Sequence, residues 1–127
     1  MYRQETNGIR IEVSPFFIPE KSNPEEGFYV FAYQVRITNI GETHARLVSR
    51  HWIITDGNSR REEILGKGVV GEQPSLAPGQ VFEYTSSCPL PTPTGNMRGW
   101  YHMVSAEGDR FKAKIPVFFL RSLDQIH

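Results

Sequence analysis

The sequence predicts an all-β domain built as a two-sheet sandwich. Three observations carry that prediction. Apolar and polar residues alternate in several strand-length segments, about seven of them, at turn spacings of roughly 8–15 residues. Nine prolines and eleven glycines in 127 residues interrupt the chain often. No segment repeats its apolar residues at a helical interval.

Gly8 to Ile18 opens as a strand, with Ile9, Ile11 and Val13 on one face and Arg10 and Glu12 on the other. Pro15 and Pro19 bracket Phe16-Phe17-Ile18. Proline has no N–H for a ladder, so this stretch belongs at a sheet edge or off the sheet. Lys21 to Gly27 is a polar loop. Phe28 to Thr38 is the strongest strand, with Tyr29, Phe31, Tyr33, Val35 and Ile37 on one face, and Asn39 to Glu42 turns the chain. Ala45 to Thr55 is a third strand whose apolar residues fall on both parities, which predicts a bulge or a strand covered on both sides. Its Trp52 suits an inner strand of a sandwich.

Asp56-Gly57-Asn58 closes that strand. Arg60 to Gly71 is short and polar, then glycine-rich, and Pro74 to Gly79 is a second turn region. Val81 to Cys88 is a strand, Pro89 to Gly95 a rigid connection and Met97 to Ala106 a strand. After the turn Glu107-Gly108-Asp109, Phe111, Ala113, Ile115 and Val117 alternate with Lys112 and Lys114. The tail from Arg121 to His127 is expected to fray. No linker, repeat or low-complexity segment divides the chain, so residues 1–127 read as one domain.

Lysine plus arginine total 14, as do aspartate plus glutamate. Such balance gives no bulk field for nucleic acid or a membrane surface. The N-terminus has no apolar leader, and no run reaches the roughly 18 apolar residues of a membrane span. Cys88 is the one cysteine, so no internal disulfide forms, which fits a cytoplasmic location. Cys88 precedes Pro89 at a strand end with no helix N-terminus to activate it, and neither Ser49, Ser86 nor Ser87 sits in Gly-x-Ser-x-Gly. Glu20, Glu25, Glu26, Glu62 and Glu63 fall on loops and read as solvated. His44, His51, His102 and His127 have no metal-ligand spacing. The expectation is a binding domain that is not an enzyme, with no metal and no cofactor.

Gly66-Lys67-Gly68-Val69-Val70-Gly71 matches Gly-x-Gly-x-x-Gly. A dinucleotide site needs a buried strand before it and a helix after it. Charged residues precede it here and Pro74 follows closely, so that context is missing. Glycine-rich backbone can still hold an anion in a nest of N–H groups. The candidate phosphate site is therefore Gly66, Lys67, Gly68 and Gly71 with Arg60 and Arg61; the alternative is a turn anchored by Val69 and Val70. Phe16, Phe17, Phe28 and Phe118 fall where alternation sends some of them outward. They are the candidate surface for a protein partner, or for a second copy in a homodimer.

The string from Gly66 to Pro74 continues through Leu76-Ala77-Pro78-Gly79, Phe82-Glu83-Tyr84-Thr85-Ser86 and Thr94-Gly95-Asn96-Met97-Arg98-Gly99-Trp100-Tyr101. Ile115-Pro116-Val117-Phe118-Phe119-Leu120 closes it, and Tyr33 to Asn39 and Arg50 to Asp56 precede it. Nearly the whole chain resembles the bacterial ApaG (CorD) family, departing at Trp100, where a smaller or polar residue is usual. The resemblance implies an immunoglobulin-like or fibronectin type III-like sandwich in the bacterial cytoplasm. It also implies a genetic association with cobalt resistance and magnesium efflux, which leaves direct divalent-metal handling as an alternative role beside a phosphate or dinucleoside-polyphosphate sensor. The family takes its name from a neighbouring diadenosine tetraphosphate hydrolase gene. Its proposed pyrophosphate motif maps onto Gly66, Gly68 and Gly71. Relatives in F-box proteins and a polymerase-interacting protein imply protein binding.

Overall fold

The computed structural model describes residues 1–122. Nine antiparallel strands form two sheets: β1 (Tyr2–Thr6), β2 (Ile9–Phe17), β3 (Tyr29–Asn39), β4 (Ala45–Asp56), β5 (Arg61–Lys67), β6 (Ser75–Leu76), β7 (Val81–Leu90), β8 (Thr94–Ser105) and β9 (Arg110–Arg121). The first sheet runs β1-β2-β3-β7. The second runs β5-β4-β8-β9, with β6 against the start of β4. The two-sheet β-sandwich, immunoglobulin-like in form, is the predicted architecture.

The first strand lies outside the sequence reading, which began at Gly8. Asn7 and Gly8 both have positive φ, 48° and 81°, and make the two-residue turn that joins β1 to β2. Asn-Gly is a strong hairpin signal, because both central residues of that turn need φ above zero. β1 pairs only with Ile9–Val13, so Pro15–Phe17 run on past it as a sheet edge, as the prolines require.

Two bulges set which residues face inward. In β4 the register with β8 slips between Leu47 and Ser49. Leu47 then faces the core on one parity, and Trp52 and Ile54 face it on the other. In β9 the register slips opposite Met97 and Gly99, so Ile115 pairs with Gly99 and Phe118 with Met97. Pro116, which has no N–H to donate, sits inside that slip. The alternation therefore reverses. Phe118, expected on the surface, is 0% exposed, while Val117 is turned out.

Phe118 packs on Trp52 with ring centroids 5.9 Å apart and on Tyr33 at 5.7 Å. Tyr33 comes from one sheet and Trp52 and Phe118 from the other, so the cluster joins the layers. Along one side β9 closes against the β1–β2 hairpin, where Tyr2 meets the Phe118 and Phe119 rings. Arg121 ends β9, and Ser122 is buried with its amide donated to the Pro93 carbonyl at 2.9 Å, so neither frays. The rest of the expected fraying, with His127, lies outside the described residues.

Asn39 ties the β3–β4 turn to β6 from a buried position. Its Nδ2 donates to the Thr43 and Leu76 carbonyls at 2.8 Å each, and its Oδ1 accepts from the Gly41 amide at 3.0 Å. Replacing Asn39→Ala leaves two carbonyls and an amide without partners. Urea denaturation should show a loss of about 2–3 kcal/mol, the cost of orphaned buried polar groups.

Candidate functional site

Arg61 to Lys67 form the outer strand β5, with Glu62 and Glu63 on it; the loop placement of those two carboxylates is corrected. Strand pairing puts Arg61 opposite Thr55 and Lys67 opposite Ser49. The two basic groups thus stand at opposite ends of the strand, about 20 Å apart at a strand's rise. Arg60 and Arg61 do not join Lys67 in one cluster.

Each motif glycine answers to a separate geometric demand. A Cβ on Gly66 would lie 2.6 Å from Cζ of Arg50, whose guanidinium rests against the strand there. Arg50 Nη1 donates to the Lys67 carbonyl at 3.1 Å and the Gly68 carbonyl at 2.9 Å. Gly68 has φ of 64°, and a Cβ there would come within 2.2 Å of the Glu72 carbonyl oxygen. Val69 and Glu72 exchange amide bonds of 2.8 Å across a tight turn made by Val70 (φ 42°) and Gly71 (φ 80°). The Gly68 amide goes to the Val48 carbonyl at 2.8 Å. The loop thus turns two carbonyls toward Arg50 and donates the Gly68, Val69 and Glu72 amides to backbone acceptors. Val69 is buried beneath it.

Arg50 is the residue sequence reasoning missed. With Tyr33, Trp52, Tyr84 and Ser86 it lines a cavity of about 260 Å3 between β4 and β7, at whose rim stand the exposed Ile64 and Val70. The Tyr84 and Tyr101 hydroxyls hydrogen-bond to each other there. Burial pushes both phenols well above the usual tyrosine range, so they stay neutral. No spacing rule pairs Arg50 with a loop that follows it along an adjacent strand.

Cys88 is buried, and burial, then the charge of Glu62, pushes its thiol up to about 11. His51 pairs with Glu63 at 2.9 Å on the outer face of the second sheet, its ring 5.5 Å from that of Trp100. His102 shares that face; partial burial, then Lys112 and His51, lowers its pKa. Among the described residues no group of three or more His, Cys, Asp or Glu side chains converges as metal ligands would.

The candidate aromatics separate. Phe16 is 52% exposed and Phe28 45% exposed, while Phe17 packs on Phe31 at 5.4 Å. Phe16 lies beside a second exposed ring, Phe119 at 46%, which the reversed alternation of β9 turns outward. Together with Met1, Tyr2, Pro15 and Leu120 they line a groove of about 350 Å3 where the two sheets close. Phe28 is not part of it.

The family model for the ApaG domain matches residues 19–105. The chain belongs to the ApaG family. Protein ApaG of Methylobacterium sp. (strain 4-46) is 53% identical over 127 residues, covering 100% of this chain and 95% of that protein. Protein ApaG of Bordetella pertussis is 54% identical over 119 residues, 94% of this chain and 91% of that one. A crystal structure of a Bordetella pertussis protein superposes with a TM-score of 0.89 at 55% identity, covering 91% of this chain and 94% of that chain. Relatedness of this depth over nearly the full length fixes the ApaG fold, and the names carry no reaction.

Two outcomes follow for this ApaG chain. Gly68→Ala should destabilise by about 2–4 kcal/mol in thermal or urea melts, since it combines positive φ with a backbone clash. Gly71→Ala, which faces open space, should lose only about 1 kcal/mol. Cys88 should resist iodoacetamide at pH 8 until the protein is unfolded, read by mass spectrometry. The raised thiol pKa favours the folded state fully below the ordinary thiol pKa. That contribution fades as pH climbs through about 11.

Proposed function

We propose that this chain is a non-enzymatic protein-binding module of the ApaG family, acting in the bacterial cytoplasm. One observation carries the reading: Phe16 and Phe119, both about half exposed, flank a groove at the closed side of the sandwich. Rigid aromatic rings supply large contact area at low entropic cost, and a partner's apolar side chain between them would be anchored on both flanks. Neither ring belongs to the buried core, so their exposure favours a role outside stability. The buried thiol and tyrosine hydroxyls, held protonated, offer no nucleophile to argue for chemistry instead. On this reading the family's association with cobalt resistance and magnesium efflux runs through a partner protein.

The test is affinity capture from bacterial cytosol, with and without crosslinking, using the full chain and a Phe16→Ser/Phe119→Ser variant. A specific protein should be recovered with the parent and fall about tenfold with the variant, whose melting curve should show it still folded, with only a modest loss from the Tyr2–Phe119 contact. Equal recovery on both baits, or none on either, would overturn the reading.

A further inference from the structure

The second sheet ends in a strand whose middle lacks the usual protection of an edge. β5 pairs with β4 through seven consecutive residue pairs with no register slip, and among the described residues its other side is unpaired. Proteins normally guard such edges with proline, a bulge, or charges at the strand centre. β7, the outer strand of the facing sheet, carries Pro89 and turns Glu83, Thr85 and Ser87 outward. β5 has neither proline nor bulge; Arg61, Glu62, Glu63 and Lys67 charge its two ends, but between them stand Ile64 and Leu65, with Leu65 70% exposed.

We propose that β5 pairs antiparallel with β5 of a second copy of this chain, joining two of the second sheets edge to edge about a two-fold axis at Leu65. The charge pattern selects this occupant and this register. Across a two-fold axis normal to the sheet, the residue on the axis faces itself, and residues equally spaced from it face each other. With Leu65 on the axis, Leu65 meets Leu65, and Glu63 of each copy lies directly opposite Lys67 of the other. Two opposite-charge pairs result, on the same outer face as His51, which already bonds Glu63 at 2.9 Å. Among the described residues Lys67 has no carboxylate within salt-bridge distance.

The neighbouring registers are poorer. With Ile64 on the axis, Arg61 faces Lys67. With Glu63 on the axis, two carboxylates face each other and Leu65 meets Arg61. With Gly66 on the axis, Leu65 faces Lys67 and Glu63 loses its pairing with that lysine. Only the Leu65 register covers the exposed leucine with an apolar side chain and matches both charges. The chain bends away at Gly68, where φ is 64°, so pairing spans Glu63 to Lys67. That is less than a standard interface, and the dimer is weak, half-formed at about 0.1–1 mM.

Sedimentation equilibrium of the full chain from about 10 µM to 1 mM tests this, with the expected range set by the small interface. The mean mass should rise toward twice the monomer. Leu65→Arg should hold it at the monomer, with an unchanged melting curve because Leu65 is on the surface. Glu63→Lys and Lys67→Glu should each weaken association about tenfold, since each reverses two pairs, and the double variant should recover it. A monomer at every concentration overturns the proposal, including the case in which β5 takes a strand from a different protein. So does a dimer in which the double variant is no better than the singles.

Discussion

The Trp52 indole is the contact on which the sandwich depends. It meets Tyr33 of the facing sheet at 5.4 Å and Tyr101 and Phe118 of its own at 6.2 and 5.9 Å, so the Tyr33 contact joins the two layers. Edge-to-face rings of this size account for much of what two small sheets can bury. Both bulges serve that cluster. Without the slip after Leu47, Trp52 would point to solvent whenever Leu47 pointed in. Without the slip at Pro116, Phe118 would be replaced at the core by the smaller Val117. Irregularities in the ladder are thus what let four large rings from separate strands reach one place.

A cluster that large leaves polar groups to satisfy around it, and the chain does so with few side chains. Asn39 binds the turns at one end of the sandwich. Arg50 binds the glycine-rich turn along the open side, where it supplies the donors that two inward carbonyls need. Gly66 is glycine because that guanidinium occupies the space of a side chain, and Gly68 because the turn brings backbone against backbone. The motif that looks most like a ligand loop is thereby accounted for by packing at Gly66 and Gly68, and by the positive φ of the turn at Gly71.

The parts of the fold readable from sequence were those in which period two survives. Ile9-Ile11-Val13 and Tyr33-Val35-Ile37 point to their strands directly, and the mixed parity of Leu47 and Trp52 points to a bulge or a strand covered on both sides, of which the bulge is present. What escaped was whatever a bulge or an edge position rewrites. The alternation Phe111-Ala113-Ile115-Val117 looked unbroken, so Phe118 was assigned to the surface and Phe119 was overlooked, although Pro116 was the available sign of a slip. β5 escaped because an edge strand exposed on both faces needs no alternation at all; its residues read as loop. Of the candidate site, Phe16 and Phe28 stand exposed as alternation suggested. Arg50 could not be found, because its pairing with Lys67 and Gly68 arises from β4–β5 register.

The two surfaces left open by this folding lie on opposite sides of the same sheet. β5 ends the second sheet on one side and β9, with Phe119, ends it on the other. Covering β5 with a second copy therefore leaves the Phe16–Phe119 groove of each chain free and directed away from the axis. A weak dimer of this geometry presents two identical grooves, so a partner with two matching segments would engage the second at an effective concentration fixed by the pair's spacing. Affinity too low to hold one groove would then suffice for both, and binding would depend on the protein's concentration through β5 before it depended on any contact in the groove itself.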